Sequence, residues 1–226
     1  MTLSKQALAF TVLMALAALA AIVYASQTGQ PMHGYSFLSL LVAGVVTARL
    51  KVKLPGMTGC MSVCLPFLLI AVAQLSMIEA LLVALSTCAV QCLPKRGGGR
   101  PKPIQMLFNL STMALAISAA SLVGTHFSPL LGAAGFFLAQ TVPVAGIIRL
   151  TEGGAVHRIW SSIAHQTFPF YVLSAGITSM MTSTLVQSAS WQVPMLCLPV
   201  MYAIYRSYES YFRLEALLAA SPVKSR

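Results

Sequence analysis

Long apolar runs follow one another along this chain, with only short polar connections between them. Only 8% of its residues are charged, whereas a soluble domain uses about a quarter to cover its surface. A helix needs about 20 apolar residues to cross the roughly 30 Å hydrocarbon core of a bilayer. The runs are continuously apolar, without the alternation of barrel strands. We therefore predict an all-α fold, a polytopic transmembrane helix bundle.

The apolar runs divide into eight candidate spans, with residues 1–206 as the bundle and residues 207–226 as a short cytoplasmic amphipathic tail. The second and last spans are short. The first span also resembles a cleavable signal peptide, but its run exceeds the usual core of about 7–15 residues, so we expect an uncleaved anchor. The eight spans are Gln6–Ser26, Tyr35–Leu50, Met57–Gln74, Met77–Leu93, Ile104–Val123, Pro129–Ile148, Phe168–Val186 and Val193–Tyr205.

Positive charge lies on one side of this arrangement. The connections after the odd-numbered spans contain no Lys or Arg, so all 14 cations fall in the other segments. Lys/Arg bias in short loops sets orientation, and we predict that both termini are cytoplasmic in a multi-pass protein of the bacterial inner membrane. A net charge of +10 in such loops favours anionic lipid headgroups on the cytoplasmic side as partners, and not nucleic acid.

The basic connection KRGGGRPKP, between the fourth and fifth spans, illustrates this charge bias. Three glycines make it flexible, and Pro101 and Pro103 end it before the next helix. It follows no strand and lacks the GxxxxGK[ST] pattern of phosphate-binding loops. We interpret it as a cytoplasmic loop that orients the middle of the bundle.

The inventory of reactive residues predicts that the chain is not an enzyme. It contains no aspartate, which removes Asp nucleophiles, Asp-containing triads and Asp-bound metals. No G-x-S-x-G or H-E-x-x-H motif is present. We also expect no cofactor, with the metal and haem alternatives considered next.

Two C-x-x-x-C pairs, Cys60/Cys64 and Cys88/Cys92, suggest a metal site. Residues four apart share a helix face, and a tight hairpin of the third and fourth spans would bring the four sulfurs to similar depth. Four thiolates bind zinc or an iron–sulfur cluster. The alternative is that these cysteines are small packing residues that stay reduced on the cytoplasmic side.

Haem ligation requires histidines at matching depth on facing helices, and nothing in the sequence places them so. The four histidines are His33, His126, His157 and His165.

Polar side chains within or beside the spans are the candidate ligand-binding residues, because burial of a polar group in a bilayer is costly. Gln74 and Glu79 flank the outer bend between the third and fourth spans, and Asn109 and Gln140 lie within the fifth and sixth. The alternative for Asn109 and Gln140 is an interhelical hydrogen bond worth about 0.6 kcal/mol.

Three segments of the chain share a further pattern: ARLKVKLPGMTGCMSVCLPFLLIAVAQLSMIEALLVALST, IQMLFNLSTMALAISAAS and PVMYAIYRSYESYFRLEALL. Together they resemble bacterial membrane-associated sensor domains of the MASE kind. Such domains stand before cytoplasmic HD-GYP or GGDEF modules. Because an HD dyad and a GGDEF motif both require Asp, the resemblance implies an input module without an output domain.

These observations predict a non-enzymatic sensor or input module that passes a signal to a cytoplasmic signalling protein, or within a homo-oligomer. The predicted output is an amphipathic helix that leaves the membrane, with Arg206, Tyr208, Tyr211 and Arg213 as its contact residues. The alternative is a small-molecule transporter or a substrate-binding membrane subunit, with Gln74, Asn109 and Gln140 lining a cavity.

Overall fold

The computed structural model describes residues 5–28, 34–53, 60–93, 102–181 and 192–220. Within these residues the chain forms eight helices and one short two-stranded hairpin. In chain order the elements are α1 (Lys5–Gln27), α2 (Gly34–Ala48), β1 (Lys51–Lys53), β2 (Cys60–Ser62), α3 (Leu65–Gln74), α4 (Met77–Cys92), α5 (Pro103–His126), α6 (Pro129–Glu152), α7 (Val156–Met181) and α8 (Gln192–Ala220).

Three of the helices, α1, α5 and α6, are long and apolar enough to cross a membrane by length and composition. They contain 23 or 24 residues, which corresponds to about 35 Å of helix. Helices α2, α3 and α4 are apolar but shorter, with 10 to 16 residues. The predicted membrane helix bundle is therefore confirmed. The sidedness of the termini and the number of crossings stay predictions.

Helix α3 lies at the centre of the bundle. Its residues from Leu65 to Ala71 are all buried, and it packs against α2, α4, α5 and α7. Ten residues make about 15 Å of helix, roughly half of a hydrocarbon core. A helix that is apolar on all sides and short can be accommodated only where neighbouring helices surround it.

The prediction of one continuous helix over the third span, Met57–Gln74, is wrong. Strand β2 occupies Cys60–Ser62 and pairs antiparallel with β1, Lys53 opposite Cys60, and the Val63 amide donates to the Leu50 carbonyl. Hydropathy cannot distinguish an apolar strand from an apolar helix when the strand's backbone groups are satisfied by a partner.

Helices α7 and α8 are each longer than predicted. The seventh span is predicted from Phe168, but its helix begins at Val156 and contains 26 residues, with Pro169 inside it. The last five residues of that predicted span lie outside the described residues. The eighth span and the tail as far as Ala220 likewise form one helix of 29 residues, and residues 221–226 lie outside the described residues. Residue 206 is therefore inside α8 and does not end an element.

Small residues allow the helices to approach one another closely. A Cβ added to Gly132 on α6 would lie 2.9 Å from the Ala120 carbonyl oxygen and 3.0 Å from the Gly124 Cα, both on α5. A Cβ on Gly44 of α2 would lie 2.7 Å from Oγ1 of Thr87 on α4. Such contacts between small residues are the usual basis of helix association in a bilayer.

Candidate functional site

The clearest group of predicted functional residues lies where α4 ends and α5 begins. The last carbonyls of a helix have no partner within it, and here a lysine supplies one. The Nζ of Lys51, on β1, donates to the Gln91 carbonyl and, over 3.2 Å, to the Leu93 carbonyl. A cation at a helix C-terminus also interacts favourably with the helix dipole. The hairpin therefore caps α4.

Two cysteines face the same side of this last turn of α4. Cys88 is 3% exposed and Cys92 is partly exposed. Their side chains lie close enough to interact with each other, as the four-residue spacing on a helix allows. Lys51 lies near enough to act electrostatically on Cys92.

Asn109 completes the group from the first turns of α5. Its Nδ2 donates a hydrogen bond to Sγ of Cys92 over 3.7 Å. Asn109 itself is exposed on its helix. A residue predicted to contact a ligand and two residues predicted to bind a metal therefore lie together.

Cys64 lies directly before α3. It is 4% exposed, and its carbonyl accepts from the amides of Phe67 and Leu68. It is close enough to Cys88 and Tyr171 to interact with both electrostatically. Its sulfur forms no capping hydrogen bond to α3.

The prediction that Cys60 and Cys64 share a helix face is wrong, because Cys60 belongs to β2 and Cys64 precedes α3. The side chain of Cys60 lies outside the described residues, so the four-thiolate metal site stays a prediction. Among the described side chains, no group of three or more His, Cys, Asp or Glu could hold a metal ion. His126 ends α5, His157 and His165 lie on α7, and His33 is outside the described residues.

Glu79 lies at the other end of α4, about 20 Å of helix away from Cys92. It is 0% exposed and forms a capping box with Ser76. The Ser76 hydroxyl and amide donate to Glu79 Oε2 over 2.8 and 3.1 Å, and the Glu79 amide donates to Ser76 Oγ over 3.4 Å. These contacts give Glu79 a role in starting the helix.

Gln74 and Gln140 are not brought to the group around Cys92 by any described hydrogen bond. Gln74 ends α3 and Gln140 lies in the middle of α6. The Oε1 atom of each is buried and has no hydrogen-bond partner among the described residues. Each is therefore a polar atom in an apolar setting, which is costly unless something further satisfies it.

The predicted output residues all lie on α8. Arg206 Nη1 donates to Glu209 Oε2 over 3.5 Å, with side chains 62% and 33% exposed. Tyr211 is 64% exposed. The side chains of Tyr208 and Arg213 lie outside the described residues.

A cavity of about 150 Å³ lies between α3, α5, α6 and α7. Its lining is mostly apolar, with hydroxyls from Thr125, Thr178 and Ser179. Gln74, Asn109 and Gln140 are not among the residues that line it.

Sequence reasoning missed Lys51 and Ser76. The S-x-x-E sequence from Ser76 to Glu79 is a capping-box signature before an apolar run and could have identified that pair. No sequence signal identifies the partner of Lys51, because its contact joins residues about 40 positions apart.

No protein-family model matches the chain, and no curated protein or solved structure matches it.

Proposed function

We propose that this chain is a non-enzymatic sensor or input module of the bacterial inner membrane, which passes a signal to a cytoplasmic partner through α8. The single observation that carries the proposal is the continuity of α8. Its first half is anchored in the bundle, where Cys197 is 4% and Met201 0% exposed. The same helix then continues to Ala220.

The length of α8 supports a role in transmission. Its 29 residues correspond to about 43 Å, which exceeds the roughly 30 Å of a hydrocarbon core. The helix contacts α2 and β1 inside the protein. Since a continuous helix transmits rotation and translation along its axis, a shift of α2 or the hairpin would reach the residues around Arg206.

The partner in this proposal is a cytoplasmic signalling protein or a second copy of the chain. The exposed ion pair of Arg206 with Glu209 and the exposed ring of Tyr211 offer polar and aromatic contacts to such a partner. The resemblance to sensor domains of the MASE kind belongs to the same proposal and rests on the sequence motifs.

A helical-phase experiment tests transmission. A cyclase module that is active only as a dimer is fused after Arg226, and one to seven alanines are inserted after Ser210. Each inserted residue rotates the following helix by about 100°. Four or seven insertions return it to within about 40° of its original phase, so we expect output near the starting level for these and altered output for one, two and five.

The matched control carries the same alanines after Thr28, in the connection between α1 and α2, which leaves the phase of α8 unchanged, so we expect no such periodicity. Membrane levels of each fusion are compared by in-gel fluorescence. Output that is independent of insertion length after Ser210, or that declines steadily with it, would contradict transmission through α8.

A substrate-binding membrane subunit is the second candidate, and the cavity between α3, α5, α6 and α7 favours it. An apolar cavity of about 150 Å³ is large enough for a molecule of about the size of benzene. Ala133 and Ala175 line it, so Ala133→Leu and Ala175→Leu should fill it. Under this alternative, binding or uptake of a small apolar solute would be lost in both variants.

A further inference from the structure

We propose that Cys88 and Cys92 bind a soft monovalent d10 cation of the copper(I) class as a two-thiolate site at the end of α4. This site differs from the four-thiolate zinc or iron–sulfur site that the sequence suggests. It uses one helix only, and it includes neither Cys60 nor Cys64.

The spacing of the two cysteines fits a metal bridge and not a disulfide. Residues four apart on a helix have Cβ atoms about 5–6 Å apart, whereas a disulfide needs about 3.5–4.5 Å. A sulfur–metal–sulfur bridge is longer than a sulfur–sulfur bond by roughly one metal–sulfur distance, about 2.3 Å in zinc thiolates. The two side chains already lie close enough to interact, so their sulfurs need little movement to share an ion.

The ligand set selects the class of metal. Thiolates prefer soft ions such as copper(I), while a structural zinc site is closed by four ligands. The described side chains contain no metal-binding group of three or more, and the two thiolates of Cys88 and Cys92 fit a two-coordinate ion. Cys92 is partly exposed and provides access, whereas Cys88 is buried and excludes water from the far side.

Charge and hydrogen bonding around the sulfurs fit the resulting complex. Each thiol releases one proton when it binds the ion, so two thiolates and one monovalent cation carry a net charge of −1. The Lys51 ammonium, which acts electrostatically on Cys92, offsets that charge. The Asn109 amide donates to the Cys92 sulfur over 3.7 Å and holds it in position, as a supporting residue does around a metal ligand.

The site also lies beside the path of transmission proposed above. Lys51 belongs to β1, and α8 contacts β1. Metal binding that draws Lys51 towards Cys92 would therefore shift the strand against α8. This consequence rests on the proposed sensor function, but the binding itself does not.

Copper(I) competition on the purified full-length chain in detergent micelles tests the binding. Copper(I) is supplied as its bicinchoninate complex with ascorbate as reductant, and its transfer to the protein is followed by the loss of chelator absorbance. We expect one ion per chain. Cys88→Ser and Cys92→Ser should each lose binding at copper concentrations that saturate the unmodified chain, and Asn109→Leu should weaken it roughly 10-fold to 100-fold.

Cys197→Ser is the matched control, because it removes a buried thiol of α8; it should bind as the unmodified chain does. Wild-type binding by Cys88→Ser or Cys92→Ser, or equal loss by Cys197→Ser, would overturn the site. If a serine variant fails to fold, alkylation of Cys92 by a maleimide in the unmodified chain tests the site instead. Saturating copper(I) should protect Cys92 from labelling. Unchanged labelling would overturn the site. These measurements use no signalling readout, so a failure of metal binding can be distinguished from a failure of the proposed sensor function.

Discussion

The amide of Asn109 donates a hydrogen bond to the sulfur of Cys92, and the two residues lie on either side of the basic connection between α4 and α5. Polarity within an apolar span singles out Asn109 in the sequence, and cysteine spacing singles out Cys92. Their contact joins two predictions into one site. Lys51 adds a third chain segment to it, through the Gln91 and Leu93 carbonyls.

Replacement of Asn109 by Leu should leave the fold nearly intact. The side chain is exposed, and its described bond is a long one to sulfur, so we expect a loss below about 1.5 kcal/mol in the free energy of unfolding. Unfolding in mixed detergent micelles measures it. Gln105→Leu, one turn earlier and also exposed, is the control. A larger loss for Asn109→Leu alone would assign Asn109 to helix packing and not to the site.

The capping box predicts that Ser76→Ala destabilises the start of α4 by about 0.5–2 kcal/mol. The substitution removes the hydroxyl that donates to Glu79 Oε2 over 2.8 Å, and the carboxylate stays buried at 0% exposure. Ser76→Thr keeps the hydroxyl and should recover most of the loss. Thermal unfolding of the purified variants measures it.

Ser128→Ala is the comparison for that variant. Ser128 caps α6 by accepting a hydrogen bond from the Leu131 amide over 3.2 Å in an exposed setting. Leu131 holds the position that Glu79 holds in α4, so it supplies no carboxylate to this cap. We expect a smaller loss there. An equal or larger loss at Ser128 would mean that Glu79 adds nothing to the cap of α4.

Gly132→Ala should weaken the packing of α5 against α6. The added Cβ would lie 2.9 Å from the Ala120 carbonyl oxygen, and backbone atoms cannot move aside as a flexible side chain can. We expect a loss of about 1–3 kcal/mol in the free energy of unfolding.

Gly135→Ala, on the same helix, is the control for Gly132→Ala. Its nearest neighbour would be 3.5 Å from the added Cβ, an ordinary contact. Since Ala favours a helix over Gly by about 1 kcal/mol or less, this variant should be as stable as the unmodified chain or slightly more so. Equal destabilisation by the two substitutions would contradict the close approach at Gly132.

Reporter fusions test the predicted sidedness. Lys51 contacts the end of α4, so two segments predicted to be cytoplasmic meet in the structure. We expect alkaline phosphatase fused after Phe127 to be active and the same enzyme fused after Gly98 to be inactive. A green fluorescent protein fused after Arg226 should fluoresce. The opposite pattern of phosphatase activity would reverse the orientation, and activity at both positions would contradict a crossing by α5.

Local sequence predicts several elements closely. The span predicted at Met77–Leu93 is α4, Met77–Cys92, and the span predicted from Pro129 begins with α6. Both follow a turn signal, with a capping serine directly before the helix. Within Met57–Gln74 the apolar composition continues across β2 and α3, so hydropathy contains no boundary at Leu65.

The sequence by itself determines that this chain forms apolar helices suited to a bilayer, because that outcome depends on composition summed over about 20 neighbouring residues. It also provides the candidate residues, by type and spacing. Only the tertiary structure decides that Lys51, Cys88, Cys92 and Asn109 meet, and that α3 is a short buried helix behind a hairpin. The reason is physical: contacts between distant segments depend on how helices pack and which backbone groups need partners, and no local pattern encodes either.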